Sequence, residues 1–277
     1  MNEFDSRFTA SLVAFGRGLG RPGLPEDPWA ADLVGPGFAH LLKASAKRQW
    51  VRRWLARSTC GLATHMAMRT AMIDMELGAA VKRGSAQVVI LGAGLDTRAL
   101  RLEALEGCRI FEVDKPACQQ AKQLGLQWVP RNLHFVAVDF ERDALPDRLV
   151  AAGFDPTRPT VWVLEGVTMY LSGMAIAQTL SDVAEVSAPG STLLVTYAHK
   201  GGIVFGEKIA ALSRDVFHFS GEYLQSWFSG DEFTRLLREQ GFHVHSDTFD
   251  RDWSKALGVR RFFSGMFKVE HLVEARC

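Results

Sequence analysis

Five short apolar runs constrain this chain most: QVVIL at residues 87–91, RIFEV at 109–113, HFVAV at 134–138, VWVL at 161–164 and TLLVTY at 192–197. Each is separated from the next by a stretch long enough for a crossover helix. Parallel neighbours cannot be joined by a tight hairpin, so this rhythm predicts a mostly parallel sheet with helices on both faces. Upstream, residues 38–54 and 60–81 carry apolar residues at helical spacing, while residues 21–28, with three prolines, predict an irregular lead-in. Beyond Tyr197 an aromatic stretch with Phe205, Phe217, Phe219, Tyr223, Trp227 and Phe228 blurs the pattern. A helix at 231–240 stopped by Gly241, a strand at 242–245 and a last strand near 262–269 then bring the expected strand count to seven.

The expected organisation is therefore an N-terminal helical cap and substrate lid over residues 1–83, then an α/β domain over 84–277 with a substrate-covering insertion around 198–230. With 277 residues, 47% of them hydrophobic, the chain can bury one large core. A net charge of +1 gives no global electrostatic reason to expect nucleic acid or a membrane surface as partner, which favours a small-molecule substrate. Cys60, Cys108, Cys118 and Cys277 lie far apart without C-x-x-C spacing, so neither zinc nor a disulfide framework is expected. His243 and His245 alternate on a strand with no acidic or Cys partner nearby, and no metal site is expected there either. The start lacks a basic head and apolar run, and no long apolar stretch follows, so a cytoplasmic protein is expected.

The first strand runs into Gly92-Ala93-Gly94-Leu95-Asp96-Thr97-Arg98, a strand, glycines and a helix start, as a nucleotide-type cofactor requires. Asp114 ends the second strand about twenty residues after the glycines, where a carboxylate can accept ribose hydroxyls. The alternative is an acid capping the helix that starts near Lys115-Pro116, and both readings can hold at once. Asp139, after the third strand, could take an adenine amino group with Phe140 packing on the ring, or could be a turn residue. Glu165 ends the fourth strand at the carboxyl edge, beside the topological switch point, where an acid facing a ligand amine or sulfonium makes electrostatic sense. The third glycine of G-x-G-x-x-G is Thr97, a poor fit to a pyrophosphate cradle. S-adenosylmethionine has no phosphate for Asp96 to repel.

The strings VVILGAGLDTRALRL, FEVDKPACQQAK, VAVDF and VWVLEGVTMYLS, with DPWA at 27–30 and RTAMID at 69–74, resemble the leucine carboxyl methyltransferase family over most of residues 10–185. That family includes bacterial O-methyltransferases linked to polyketide biosynthesis. The resemblance implies a class I methyltransferase fold, Rossmann-like, with a seven-stranded, mostly parallel sheet and a helical cap. It implies S-adenosyl-L-methionine as cofactor, contacted by Gly92, Ala93, Gly94, Asp114, Asp139, Phe140 and Glu165, with Arg69 of the cap reaching its carboxylate. The family often has Leu where this chain has Phe140, so adenine packing is expected to differ.

Methyl transfer from a sulfonium needs alignment more than acid–base help. A carboxylate acceptor is already ionised, whereas a phenol or alcohol needs a base. The expected catalytic residues are Tyr170, which the resemblance places near an acceptor carboxylate, Arg69, and His199 just past the fifth strand. Tyr170 could otherwise be a half-buried aromatic, His199 a loop histidine, and His65 a base or a helix-surface residue. Met66, Met68, Met72 and Met75 are read as core filler, and Arg98 and Arg101 as an anion clamp or as supports of local structure or the cofactor carboxylate. The leading expectation is O-methylation of a small acceptor, first a carboxylate. The alternatives are a protein C-terminal carboxyl methyltransferase, a nicotinamide oxidoreductase and a non-catalytic cofactor-binding protein.

Overall fold

A computed structural model describes residues 6–20, 23–46, 48–59, 61–200, 224–259 and 270–277. The strands are β1 (Gln87–Leu91), β2 (Arg109–Asp114), β3 (Leu133–Ala137), β4 (Thr160–Leu164), β5 (Thr192–Ala198), β6 (His243–Phe249) and β7 (Glu270–Arg276). They form one sheet in the order β3-β2-β1-β4-β5-β7-β6. β1 to β5 pair in parallel, and β7 runs antiparallel to both β5 and β6. This is the class I methyltransferase fold. The order turns back between β1 and β4, so a crevice opens above their carboxyl ends.

The central strands read as unbroken apolar runs because both of their faces are covered: β1, β4 and β5 are buried at every position. Alternate residues serve two cores. Val89, Leu91, Trp162, Leu164, Val195 and Tyr197 face α8 (Leu145–Ala151), α9 (Gly173–Glu185) and α10 (Gly230–Glu239). Val88, Ile90, Val161, Val163 and Leu194 face α5 (Leu62–Lys82), through Ala67, Ala71, Ile73 and Leu77, and Trp253 of α11 (Asp250–Ala256). Helix α5 is thus both the last helix of the N-terminal group and a layer of the sheet's own core. Ahead of it come α1 (Ser6–Leu19), α2 (Ala30–Leu33), α3 (Pro36–Ala46) and α4 (Gln49–Ser58), with a separate small core around Ala14, Phe15, Leu19 and Leu42. Two further helices, α6 (Arg98–Arg101) and α7 (Pro116–Gly125), follow β1 and β2.

Local chemistry sets several boundaries. Ser229 and Glu232 close a reciprocal capping box at the start of α10, and Gly241, at φ +88°, ends it in the left-handed region that favours glycine. The expected helix at 231–240 is α10, and the strand expected at 242–245 extends to Phe249. The run at 38–54 is two helices, α3 and α4, and α1 was not anticipated. The strand expected near 262–269 lies outside the described residues, and the seventh strand is Glu270–Arg276. Most of the insertion expected around 198–230, with Phe205, Phe217, Phe219 and Tyr223, also lies outside them, as does Cys60.

One buried ion pair sits behind the switch point. Glu112, in the middle of β2, meets Lys122 of α7, and each side chain is 1% exposed. Gln119, one turn before Lys122, donates to the main-chain carbonyls of Glu112 and Val136 at 2.9 and 2.7 Å, tying α7 to β2 and β3. Burial pushes the Glu112 carboxyl up to about 7 against the pull of Lys122. Removing one partner leaves a buried charge, so Lys122→Met is expected to lower unfolding free energy by about 3–5 kcal/mol. Glu112→Leu with Lys122→Met should recover most of that loss. Urea unfolding at neutral pH checks both.

Candidate active site

The turn after β1 is built by two glycines held at positive φ, Gly92 at +64° and Gly94 at +46°. A Cβ on Gly92 would stand 2.3 Å from Val167 Cγ2, so no side chain fits between this turn and the segment after β4. The Gly94 amide donates to Asp114 Oδ2 at 2.6 Å, and the Lys115 amide donates to Oδ1 at 2.7 Å. Each carboxylate oxygen has two lone pairs, so Asp114 keeps acceptor capacity for a ligand. Burial raises its carboxyl above the ordinary value, against the lowering effect of these two amides. The N-cap of α7 is Lys115, which makes no side-chain capping bond.

Helices of the N-terminal group clamp this turn. Arg17 of α1 donates to the Leu95 carbonyl and pairs with Asp27 at 3.1 Å, and the Thr97 hydroxyl donates to the same Asp27 carboxylate at 2.7 Å. Asp74 of α5 receives Arg98 Nε at 2.7 Å and Arg101 Nη1 at 2.6 Å. Arg98 also pairs with Asp96 and, through Nη2 at 2.7 Å, with Glu165 Oε2. The other oxygen of Glu165 accepts Arg69 Nε at 2.7 Å. Arg69 Nη1 in turn spans both oxygens of Glu270, at 2.8 and 2.6 Å. His65 Nε2 stands 3.1 Å from Glu270 Oε2. A continuous chain of buried charges therefore runs from α1 through the glycine turn to β7.

These contacts place the sequence-predicted residues. Gly92, Ala93, Gly94, Asp114, Glu165 and Arg69 converge at the carboxyl ends of β1, β2 and β4. Glu165 is held by two arginines, and Arg69 Nη2 lies beside Gly166, 3.6 Å from where a Cβ would stand there. Asp139 sits in a turn, accepting the Glu141 amide at 3.2 Å and lying 3.5 Å from Lys115 Nζ. Phe140 packs against the core on the α8–α9 side. Tyr170 lies in a single 3₁₀ turn, Thr168–Tyr170, and its carbonyl accepts Gln225 Nε2 at 2.8 Å. His199, just beyond β5, stacks on His271 with ring centroids 4.6 Å apart. Burial lowers its basicity, and so does the neighbouring His271.

Two expectations need correction. His65 is no helix-surface residue: it is 3% exposed and packs beside Trp253, because α5 is sandwiched between α1 and the sheet. Met75 is 53% exposed and fills no core, whereas Met66, Met68 and Met72 are buried. Arg98 and Arg101 follow the local-structure reading, their guanidiniums engaged by Asp74, Asp96 and Glu165. Sequence reasoning missed Asp27 and Asp74, although both lie in strings it singled out, and Glu270, for which no local signal exists.

Residues 10–184 match the leucine carboxyl methyltransferase family. The chain belongs to that family. A candidate S-adenosyl-L-methionine-dependent methyltransferase of Mycobacterium tuberculosis (strain H37Ra) is 39% identical over 203 residues, covering 68% of this chain and 65% of the relative. Another from Parafrankia sp. is 40% identical over 172 residues, 61% of this chain and 54% of the relative. The match thus spans less than two thirds of these relatives' own length. Among solved structures, a DUF574 family protein from Streptomyces avermitilis superposes with a TM-score of 0.66 at 14% identity, over 99% of both chains. Human N-acetylserotonin methyltransferase, solved with S-adenosylmethionine, gives 0.51 at 15% identity over 97% of this chain and 66% of its own. These likenesses show the fold.

The family member's buried charges carry a pH signature. Burial pushes the Glu270 carboxyl up, but Arg69 and then His65 overcome it, leaving it at about 2. Glu165 is likewise held well below the carboxylate range by Arg98 and Arg69, against the opposing effect of burial. A carboxyl whose folded value is depressed stabilises the fold above its unfolded value and loses that contribution as pH falls. Melting temperature should therefore fall between pH 4.5 and about 2, and Glu270→Gln should flatten that slope while lowering stability at pH 7. Calorimetric melts across that range check the sign.

Proposed function

We propose that this protein is an S-adenosylmethionine-dependent methyltransferase acting on an oxygen of a small-molecule acceptor, first a carboxylate, giving a methyl ester. The observation that carries the reading is the preformed turn of Gly92 and Gly94, latched to Asp114 and flanked by Arg69 and Glu165, in a chain of this family. The residues present fit the cofactor. Asp114 retains acceptor sites for ribose hydroxyls, Arg69 Nη2 suits a carboxylate, Asp139 and Phe140 suit the base, and a cleft lined by acids tolerates a sulfonium. The bound cofactor supplies an electrophilic methyl group.

What the chain supplies is alignment and exclusion of water. Glu165 and Glu270 fix the Arg69 guanidinium from two sides, which preorganises it without further loss of side-chain entropy. An acceptor carboxylate needs no base, and the Tyr170 hydroxyl is assigned to hold it by donating a hydrogen bond. A second reading, methylation of a phenol or alcohol of a secondary metabolite, is favoured by His199: its lowered basicity keeps it neutral near pH 7, able to accept a proton. Of residues 1–83, the helices ahead of α5 are assigned as the lid over this site, because α5 itself packs on the sheet.

Titration calorimetry with S-adenosylmethionine and its demethylated product is expected to show saturable binding, weakened about ten- to hundredfold by Asp114→Ala. No binding by the intact protein would overturn the reading, and binding of NAD instead would favour an oxidoreductase. With labelled methyl donor, label is expected in the small-molecule extract; label on protein would mean a protein carboxyl acceptor. Tyr170→Phe should slow ester formation, whereas a loss seen only in His199→Ala points to a hydroxyl acceptor.

A further inference from the structure

Three aromatic rings stack across three strands at the carboxyl edge of the sheet. His271 of β7 pairs in register with Tyr197 of β5 and with Phe249 of β6. Because β7 lies between those strands, the His271 imidazole stands between His199, 4.6 Å away and 12° from parallel, and Phe249, at 5.2 Å and 16°. At the ring's edge, Nδ1 lies 2.7 Å from Asp247 Oδ1. The Tyr197 hydroxyl donates to Asp247 Oδ2 at 2.8 Å and lies 3.2 Å from the same Nδ1. Burial, and then Asp247, raise the Tyr197 phenol well above its usual value, so it remains a donor. An ionised carboxylate only accepts, so Nδ1 carries a proton and Nε2 keeps its lone pair. Among the described residues, the hydrogen bonds of this imidazole are made at Nδ1, and Nε2 has none.

The stack borders the crevice of the candidate site. His271 directly follows Glu270, the carboxylate that holds Arg69, and as neighbours on a strand the two side chains leave β7 on opposite faces. Residues 225–228 join the stack to the turn that carries Tyr170. The Gln225 amide donates to the Met169 carbonyl and its side chain to the Tyr170 carbonyl, while the Phe228 amide donates to the Ala198 carbonyl, next to His199. Three residue steps span at most about 10 Å, which brings the rings within reach of a small acceptor seated at Tyr170.

We infer that His271 is the base for a phenolic acceptor, taking the acceptor's proton at Nε2 while Asp247 fixes the ring from the other side. The inference rests on the second reading of the function, methylation at a hydroxyl, and gives that reading its base and its acceptor class. As Nε2 takes the proton, a lone pair of the acceptor oxygen forms the new bond to the methyl carbon of S-adenosylmethionine. The carbon–sulfur bond breaks, its electron pair stays on sulfur, and the products are a methyl ether and the neutral thioether. The imidazolium left on His271 is paired with Asp247 and returns its proton to water. Burial, and then His271 beside it, hold down the basicity of His199, so a proton reaching the pair settles on the ring that touches the carboxylate. A phenol, which ionises at about 10 as tyrosine does, is better matched to an imidazole base than an aliphatic alcohol is.

The test incubates the full chain and labelled methyl donor with a small-molecule extract of the producing cells, then treats the products with mild alkali, which splits methyl esters and spares phenol ethers. Alkali-stable label is expected, and His271→Gln should cut its rate of formation about a hundredfold or more without weakening S-adenosylmethionine binding. His199→Phe keeps a stacked ring and should cost little. Nitrogen-15 spectra of the protein alone should show His271 protonated at Nδ1, and Asp247→Asn should shift it toward the Nε2 tautomer and slow ether formation with it. Undiminished alkali-stable label from His271→Gln overturns the inference, as does a loss confined to His199→Phe, which makes His199 the base. A resting Nε2 tautomer in the unmodified chain overturns it independently of any acceptor. Label in alkali-labile esters alone overturns it and leaves the methyltransferase reading standing, whereas failure to bind S-adenosylmethionine overturns both.

Discussion

Glu165 is shared by two arginines in the interior, Arg69 of α5 and Arg98 of α6, and much of the structure is arranged around keeping that carboxylate charged. Alone it would be forced to take up a proton by burial. Flanked by two guanidiniums it stays ionised, and each guanidinium is in turn neutralised on its far side, Arg69 by Glu270 and Arg98 by Asp74 and Asp96. Charges of alternating sign in a poorly screened interior support one another only if every member is present. Such an arrangement adds little net stability compared with apolar packing, but it fixes positions sharply. That would suit the role proposed for Arg69, which depends on one fixed orientation of its guanidinium.

The sheet and the charge network divide the labour. The apolar strands set where the carboxyl ends of β1, β2 and β4 lie, and the glycines allow the main chain to turn there without a side chain in the crevice. The network then fastens α1, α5 and α6 to that edge. Helix α5 belongs to both systems: Ile73 and Leu77 pack on the sheet while Arg69 and Asp74 reach into the network. A lid assigned within residues 1–83 would thus hinge ahead of α5, within the helices that touch the glycine turn mainly through Arg17 and Asp27.

How much could be read in advance follows from physical locality. β1, β4 and β5 are legible because strands covered on both faces must be apolar throughout. β6 is an edge strand, HVHSDTF, whose outward positions are polar, and only its start stood out. β7 carries two buried acids, Glu270 paired with Arg69 and Glu274 paired with Arg83 and with Arg276 of its own strand, so its composition argues against a strand until the distant arginines are seen beside it. The same contrast holds in the site. Gly92, Gly94 and Asp114 announce themselves because their chemistry follows from the ends of adjacent strands. Glu270 lies 201 residues from Arg69, and nothing in the intervening sequence links them. His65 was misjudged because a helix flanked on both sides buries even its polar positions.

The placement of β7 between β5 and β6 governs the order in which the molecule can be completed. Among the described residues β6 does not pair with β5 and joins the sheet through β7, so that edge stays open until β7 is inserted. Insertion also delivers Glu270, the carboxylate that finishes the charge chain. During synthesis Arg69 would wait, with Glu165 already folded against it, for a partner 201 residues away, and closures over such separations are slow. Partly made chains should accordingly expose the β5 edge, a stretch of unsatisfied main chain prone to pairing with a neighbour, at the stage when the interior charges are still unbalanced.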